Sequence, residues 1–428
     1  MSEDRLIIES AIISDPLKVF VYEIENSISD IEIFEHIDKP YLTGIVNFVD
    51  SVGVFDTIQF KGIETFELTL RFPDNEDRPV KRTFIIDKII NTTKNNDKSE
   101  LITFHIIEEI GFISTFLNVN KAYEGSSREI IEKIFFDYFD NYKLSKADID
   151  ELKDTMQLIV PNMTPLEACN WIKDRTTSVH GTPYYLFSTL SNQNVIHFLP
   201  LSTMLAQNTG PNEYVYSQSG SAVEDRIARG YVIEDYNLKD GNNISNLVDK
   251  SLIGAEFSFL DTATVNARKI KHDSINKFKL TPDTNGDSFI FNNDYTYKGK
   301  KLNEIVSRKT FQVNTSYSYQ DHKSFREFSS TSNAVWSKAL RNIITSNSID
   351  IAVSGRNFLN AETNRTIGNL IKLRFLNNNI ADENSSLFDV TDKVKSGKHL
   401  IYSTRHIIRK EKYDIVFSCV KLENIKWV

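Results

Sequence analysis

A β-hairpin pattern that occurs twice, once in the first quarter and once at the end, constrains this chain more than any other feature. Leu400 to Ile408 is strand-like, Arg409 to Lys412 is a charged reversal, and Tyr413 to Leu422 is strand-like again. Upstream, Phe84 to Ile90 leads through the polar run Asn91 to Glu100 into Leu101 to Glu109. Each hairpin follows a strand ending in Leu-Arg-Phe, at Leu70-Arg71-Phe72 and at Leu373-Arg374-Phe375. The tripeptide alone is a chance-level match. A strand, turn and hairpin in the same order at both ends points to two similar antiparallel units.

At 428 residues the chain exceeds one ordinary core, and about two to four domains are expected. Hydrophobic residues at 40% and charged residues at 25% place it among globular proteins. No run of about eighteen apolar residues occurs, so no transmembrane helix is expected, and the acidic start Met1-Ser2-Glu3-Asp4-Arg5 does not read as a signal peptide. Cys169 and Cys419 each lie in an apolar pattern and read as buried free thiols in a reducing cytoplasm. Net charge is −8, and residues 1–115 hold 22 Asp and Glu against 11 Lys and Arg, so the excess acid sits there. A basic stripe of the kind that grips nucleic acid is absent.

Residues 1–115 are strand-rich. Tyr41 to Asp50 is a strand candidate, and Thr65 to Phe72 alternates, with Phe66, Leu68, Leu70 and Phe72 on one face. Pro73 to Asp77 is a turn, and the whole reads as an antiparallel barrel or sandwich. Beyond Gly111 the period changes. Ser126-Ser127-Arg128-Glu129 is a capping box before the helical set Ile130, Ile131, Ile134, Phe135, Tyr138 and Phe139. Thr164-Pro165-Leu166-Glu167 opens a second helix, and a hairpin follows from Pro183 to Phe187 and Val195 to Leu199, turning at Ser191 to Asn194. In the hairpin's first strand Tyr185 and Phe187 share one face, Tyr184 and Leu186 the other. Tyr231 to Tyr236 reads as a strand, Asn242 to Leu252 as a helix or polar connection, and Asp273 to Ser330 as loop-rich. Trp336 to Ile344 has helical spacing, and Ser348 to Ser354 and Gly368 to Phe375 return to strand periodicity.

No catalytic set stands above background: HExxH, CxxC, GxSxG and P-loop patterns are all absent. Asp283-Thr284-Asn285-Gly286-Asp287 resembles part of a calcium loop but lacks its spacing and closing Glu, so a polar turn fits better. Asp148, Asp150 and Glu151 sit on a charged segment with little apolar sequence to bury them, and read as a solvated face rather than a glycosidase pair. His399 and His406 are seven apart in a strand, which places them on opposite faces.

Four segments, taken in order, carry a family resemblance. They are Ile33 to Asp50 with the Gly62-Ile63-Glu64 turn; Leu158 to Ala168 with its helix and Tyr185-Leu186-Phe187; Tyr231 to Tyr236; and Ser396 to Ile401 with His406. The chain resembles the central baseplate hub proteins of contractile phage tails, which are related to the hub part of type VI secretion spike proteins. Residues 265–335 fall outside the resemblance.

The resemblance implies an α+β, mainly β fold with two tail-tube-like antiparallel β-barrels. These would be residues 1–115, and residues 226–264 with 336–428. An α+β module at 116–225 and a loop-rich insertion at 265–335 would complete the chain. It implies a homotrimer whose six barrels give a pseudo-sixfold ring around a channel, joining a threefold spike protein to a sixfold tail tube protein. Tape-measure and baseplate wedge proteins would be further neighbours. DNA would be met only in transit, with no membrane insertion, and the acidic first barrel suits a channel wall that repels it. The chain would be made in the host cytoplasm and reside in the virion tail, without catalytic residues, cofactor or metal. Two alternatives stay open: a hub with peptidoglycan-degrading activity, and the homologous hub of a secretion or bacteriocin-like injection machine.

Overall fold

The computed structural model describes residues 6–71, 79–96, 98–145, 155–178, 181–207, 213–216, 231–239, 255–261, 266–272, 296–301, 308–314, 348–355, 366–376, 395–410 and 412–421, with 245, 337–338, 340–342 and 391–392 between them. The first strands are β1 (Ile7–Ser14), β2 (Val21–Glu23), β3 (Ile28–His36) and β4 (Thr43–Asp50). After the short helix α1 (Val54–Ile58) come β5 (Glu64–Arg71), β6 (Val80–Asn96) and β7 (Ser99–Glu108). Strict alternation in β4, β5 and β7 buries every second side chain, so one face of this sheet is core. Asp50 ends β4 by accepting hydrogen bonds from the amides of Val52, Gly53, Val54 and Phe55, which sets the entry to α1. The polar run after Ile90, expected as a loop, is strand as far as Asn96. Its amides and carbonyls are paired with β7 through Ser99, so backbone pairing decides here without apolar periodicity.

The next module begins with α2 (Glu109–Ser114) and β8 (Ala122–Ser126), then α3 (Ser127–Tyr138), β9 (Lys143–Leu144), β10 (Thr155–Ile159) and α4 (Pro165–Lys173). Both helix starts form as expected. Ser126 Oγ accepts from the Glu129 amide at 3.3 Å while Glu129 accepts from the Ser126 amide at 3.0 Å, and Thr164 and Glu167 repeat the exchange with Pro165 at the first helical position. The hairpin β11 (Tyr184–Ser188) and β12 (Val195–Pro200) leads into α5 (Leu201–Leu205). Every side chain of β11 is buried, because the hairpin is a wall between two cores. Tyr184 and Leu186 pack with α3 and α4, while Tyr185 and Phe187 pack on the large sheet. Cys169 and Cys419 are buried free thiols, one in each core.

The remaining strands are β13 (Glu213–Tyr216), β14 (Ile233–Lys239), β15 (Ala255–Asp261), β16 (Asn266–His272), β17 (Thr296–Tyr297), β18 (Lys300–Lys301), β19 (Arg308–Asn314), β20 (Ser348–Ser354), β21 (Leu370–Phe375), β22 (Gly397–Arg409) and β23 (Tyr413–Lys421). Within 265–335, expected to be loop-rich, β16 and β19 flank β15 in a separate sheet, and β17 pairs with β18. Residues 337–338 and 340–342 are helical. The Pro73–Asp77 turn and, save Ser245, the 242–252 connection lie outside the described residues.

Two runs of six strands have one neighbour order, β3-β4-β7-β6-β5-β1 and β14-β20-β23-β22-β21-β13. In each run the first four pairings are antiparallel. Two bulges fall at matching places. One separates Ile28 from Asp30 in β3 and Ile233 from Asp235 in β14; the other separates Ile86 from Lys88 in β6 and Ile401 from Ser403 in β22. β6 carries two further irregularities, after Ile89 and after Lys94, that β22 lacks. Because a bulge breaks register at one defined residue, two coincidences fix the alignment. Ile33 corresponds to Leu238, Val46 to Ile351, Lys88 to Ser403 and Phe104 to Phe417. The Leu-Arg-Phe tripeptides are not equivalent: Gly397 lies opposite Leu373 as Arg82 lies opposite Leu68, so Leu68 stands where Leu373 does. One pairing differs between the runs. β1 is antiparallel to β5, whereas β13 is parallel to β21.

The two runs join through β22. Its first residues pair with β21, and Ser403 to Arg409 pair antiparallel with His36 to Asp30 of β3. The fold is thus α+β and mainly β, with two similar antiparallel halves, as expected. They share one continuous 13-stranded sheet, and among the described residues its pairing runs as an open path from β14 to β2.

Candidate functional site: the seam between the sheet halves

The seam joining β22 to β3 is built from residues hundreds of positions apart. On the face away from the core, Arg405 grips Glu32 with two donors, one of them at 2.9 Å. On the core face, Ile31 and Ile33 are fully buried, opposite Ile408 and His406. His399 and His406 do not point to opposite faces. The bulge at Tyr402 removes one residue from the alternation, so both stand on the core face and both are buried.

Behind the seam lies a buried polar cluster. Glu35, Arg82 and Glu108 occupy inward positions of β3, β6 and β7, where alternation otherwise places Ile33, Phe84 and Ile106. Arg82 donates to the Leu190 carbonyl at 2.9 Å, to the Thr189 carbonyl, and to Glu108 at 3.2 Å. Glu108 also accepts from the Leu42 amide at 2.8 Å, and Glu35 accepts from the Leu190 amide. His406 Nε2 stands 3.3 Å from Glu35 without forming a hydrogen bond to it, while its Nδ1 shares one with the Tyr413 hydroxyl at 2.8 Å. Burial lowers the Arg82 guanidinium and raises the Glu108 carboxyl from their usual ranges, and their mutual attraction offsets both. The cluster pins the Thr189–Leu190 corner, just beyond β11, to the first half of the sheet, with His406 of β22 packed beside it.

A second clamp lies at the end of α4. Lys173 donates to Asp38 and, at 3.2 Å, to the Asn170 side-chain oxygen, and Asp174 lies at 3.5 Å. Arg341 completes the clamp, 3.1 Å from Asp174, donating to the Lys173 and Tyr184 carbonyls and lying over the Tyr185 ring. These contacts position elements; none brings an acid–base pair to an open cleft.

Asp148, Asp150 and Glu151, and the run Asp283 to Asp287, lie outside the described residues. Among the described residues no cluster of three His, Cys, Asp or Glu could hold a metal, and no helix is long and apolar enough to cross a membrane. Alternation carried a legible sign of the buried cluster, since Glu35, Arg82 and Glu108 fall on inward parity. Nothing in the pattern marked the strand beyond Ile90.

The seam also has an unfilled counterpart. In β6 the stretch equivalent to Ser403–Arg409 is Lys88 to Asn96, which has β7 on one side. Its other side has no strand partner among the described residues, since β5 pairs only as far as Ile86. β14, the equivalent of β3, pairs with β20, and its other side meets only the single bridge of Val232, just before the strand, to Val215 of β13 among the described residues.

No protein-family model matches the sequence, and no curated protein matches it. Among solved structures, a tail protein from Neisseria meningitidis MC58 superposes with a TM-score of 0.54 at 12% identity, over 99% of this chain and 98% of that one. The 43 kDa tail protein of prophage MuSo2 from Shewanella oneidensis does so with a TM-score of 0.55 at 11% identity, over 98% of this chain and all of that one. An E. coli component of the type VI secretion system superposes more loosely, with a TM-score of 0.46 at 9% identity, over 99% of this chain and 78% of that one. The chain therefore shares the fold of these two tail proteins.

Proposed function

We propose that the chain is the structural hub of a contractile-tail baseplate, a homotrimeric pseudo-sixfold ring that connects the central spike to the tail tube and leaves a channel for DNA. The observation that carries this reading is the repeated strand order, with two bulges in matching places. A chain with two equivalent sheet halves presents six such units in a trimer, so a threefold partner and a sixfold partner can each find matching symmetry. The full-length likeness to tail proteins supports a place in such a machine.

In the ring, the sheet face away from the core lines the channel. That face carries Asp30, Glu32 and Asp87 in the first half, where the chain's acid is concentrated. Asn47 holds Asp30 at 2.9 Å, His105 holds Asp87, and Arg405 holds Glu32, so this wall is hydrogen-bonded as well as polar. Tape-measure and wedge proteins are further neighbours, and the role is one of geometry rather than catalysis.

Electron microscopy of the assembled particle tests the proposal. Three copies at the centre of the baseplate, between spike and tube, are expected; a peripheral position or another copy number overturns it. A peptidoglycan zymogram tests the non-catalytic part, and clearing by the purified chain would refute it.

A further inference from the structure

We infer that the outer edge of β6 receives β14 of a second copy of this chain, in the register that β22 and β3 show within one chain. Lys88 to Asn96 is to β6 what Ser403 to Arg409 is to β22, and β14 is to its half what β3 is to the other. Inside the chain those two equivalents meet along seven residue pairs. Between their counterparts there is no meeting within the chain: among the described residues the β6 stretch has no strand on that side, and β14 has none beyond the single bridge of Val232, just before it, to Val215 of β13. The repeat thus supplies one joint already made and one left open, and a second copy is the occupant that completes it.

The side chains bear the mark of a missing neighbour. Ile33 in β3 is 0% exposed, whereas Leu238, at the same place in β14, is 44% exposed. Ile90, the bulged residue on the β6 edge, is 49% exposed. Lysines and a bulge are what a protected free edge also carries, and β6 has Lys88, Lys94 and Ile90. An exposed leucine on an inward position of β14 is not explained that way.

The register follows from the intrachain seam. His406 lies opposite Ile33 and Ile407 opposite Glu32. Allowing for the extra bulge at Ile90, Thr92 lies opposite Leu238 of the second copy and Thr93 opposite Asn237. Each chain offers one edge of each kind, so the contact is head-to-tail and closes into a ring or continues as a filament. The inference deepens the hub reading, and rests on it for closure at three chains.

Disulfide trapping tests the contact. Opposed residues in an antiparallel pair have Cα atoms about 4.5–5.5 Å apart, within disulfide reach. Two double variants, Thr92→Cys with Leu238→Cys and Thr93→Cys with Asn237→Cys, cover one hydrogen-bonded and one non-hydrogen-bonded pair. The native thiols are buried. On mild oxidation at least one double variant is expected to form covalent multimers. Thr92→Cys with Glu234→Cys, out of register by four residues or about 13 Å, is expected to form none. Leu238→Lys should weaken self-association of the otherwise native chain about tenfold or more, the equivalent of about 1.4 kcal/mol. Cross-linked species that stop at three chains support both the contact and the hub. A ladder beyond three supports the contact and overturns the hub's trimer. Trimers in solution that no in-register pair traps overturn the contact and leave the trimer standing. A chain that stays monomeric and untrapped at high concentration overturns the contact.

Discussion

Replacing Arg82 with methionine should be among the most damaging single changes in the large core. The side chain is buried with Glu108, and its three donor groups satisfy a carboxylate and the carbonyls of Thr189 and Leu190. Methionine has a similar length and no donors. It leaves Glu108 without its counter-charge and two carbonyls without donors, all away from water. Breaking a buried pair from one side costs about 3–5 kcal/mol. The double variant Arg82→Met with Glu108→Gln removes both charges and keeps an acceptor for the Leu42 amide, so it should recover all but about 1–2 kcal/mol.

Urea titration followed by far-UV circular dichroism measures both variants. The pH dependence gives an independent check. Burial already raises the folded Glu108 carboxyl above its unfolded value, and Arg82 is the largest influence pulling it back. Without Arg82 the folded form holds its proton still more tightly than the unfolded chain does. Stability linked to that proton is present at low pH and lost as pH rises through the folded value. The deficit of Arg82→Met should therefore be smaller near about pH 5 than near about pH 8. A loss under about 1 kcal/mol, or a deficit that grows on acidification, would refute the idea that the pair's buried charges govern this corner.

Burial holds His399 down to about 4, so the folded chain stays neutral there while the unfolded chain takes up a proton near 6.5. Its contribution is intact above pH 6.5 and fades as pH falls toward 4, and His399→Leu should flatten the urea-midpoint curve across that window; parallel curves would count against it. Gly44→Ala should cost about 1–3 kcal/mol, since a Cβ there would sit 2.6 Å from the Glu32 carbonyl in the next strand, and an unchanged urea midpoint would contradict that contact. Phe104→Ala and Phe417→Ala remove equivalent, fully buried rings and should each cost about 3–5 kcal/mol; a loss confined to one of them would contradict the equivalence of the halves.

Much of the fold was legible because alternation is a strong signal where one sheet face is buried. β4, β5, β20 and both strands of the closing hairpin stand where period-two sequence puts them, and both capping boxes form at the expected helix starts. The second half of β6 was not legible, because Lys88 to Asn96 has neither a buried face nor apolar periodicity, and only its backbone makes it a strand. The two histidines of β22, His399 and His406, were misplaced for a related reason. A bulge shifts parity by one residue, and no side chain around Tyr402 announces it. Those two blind spots, free edges and bulges, are also the features on which the candidate site depends.

What the halves share says which part of the duplication has work to do. Few residues match between them, yet two bulge positions and the strand order do. Side chains of a core can be exchanged at roughly constant volume, whereas a displaced bulge would redirect a whole strand and its curvature. Retaining curvature while letting sequence drift is what the proposed ring of unlike halves would demand, because each seam would have to meet the next at the same angle. The one departure lies farthest along the order from that requirement. β13 runs parallel to β21 where β1 is antiparallel to β5, and both sit beyond the strands that form the seam. There the chain leaves the α+β module and enters the second half, so the direction of β13 answers to that connection. The symmetry is kept at the seam and given up where no second copy would notice.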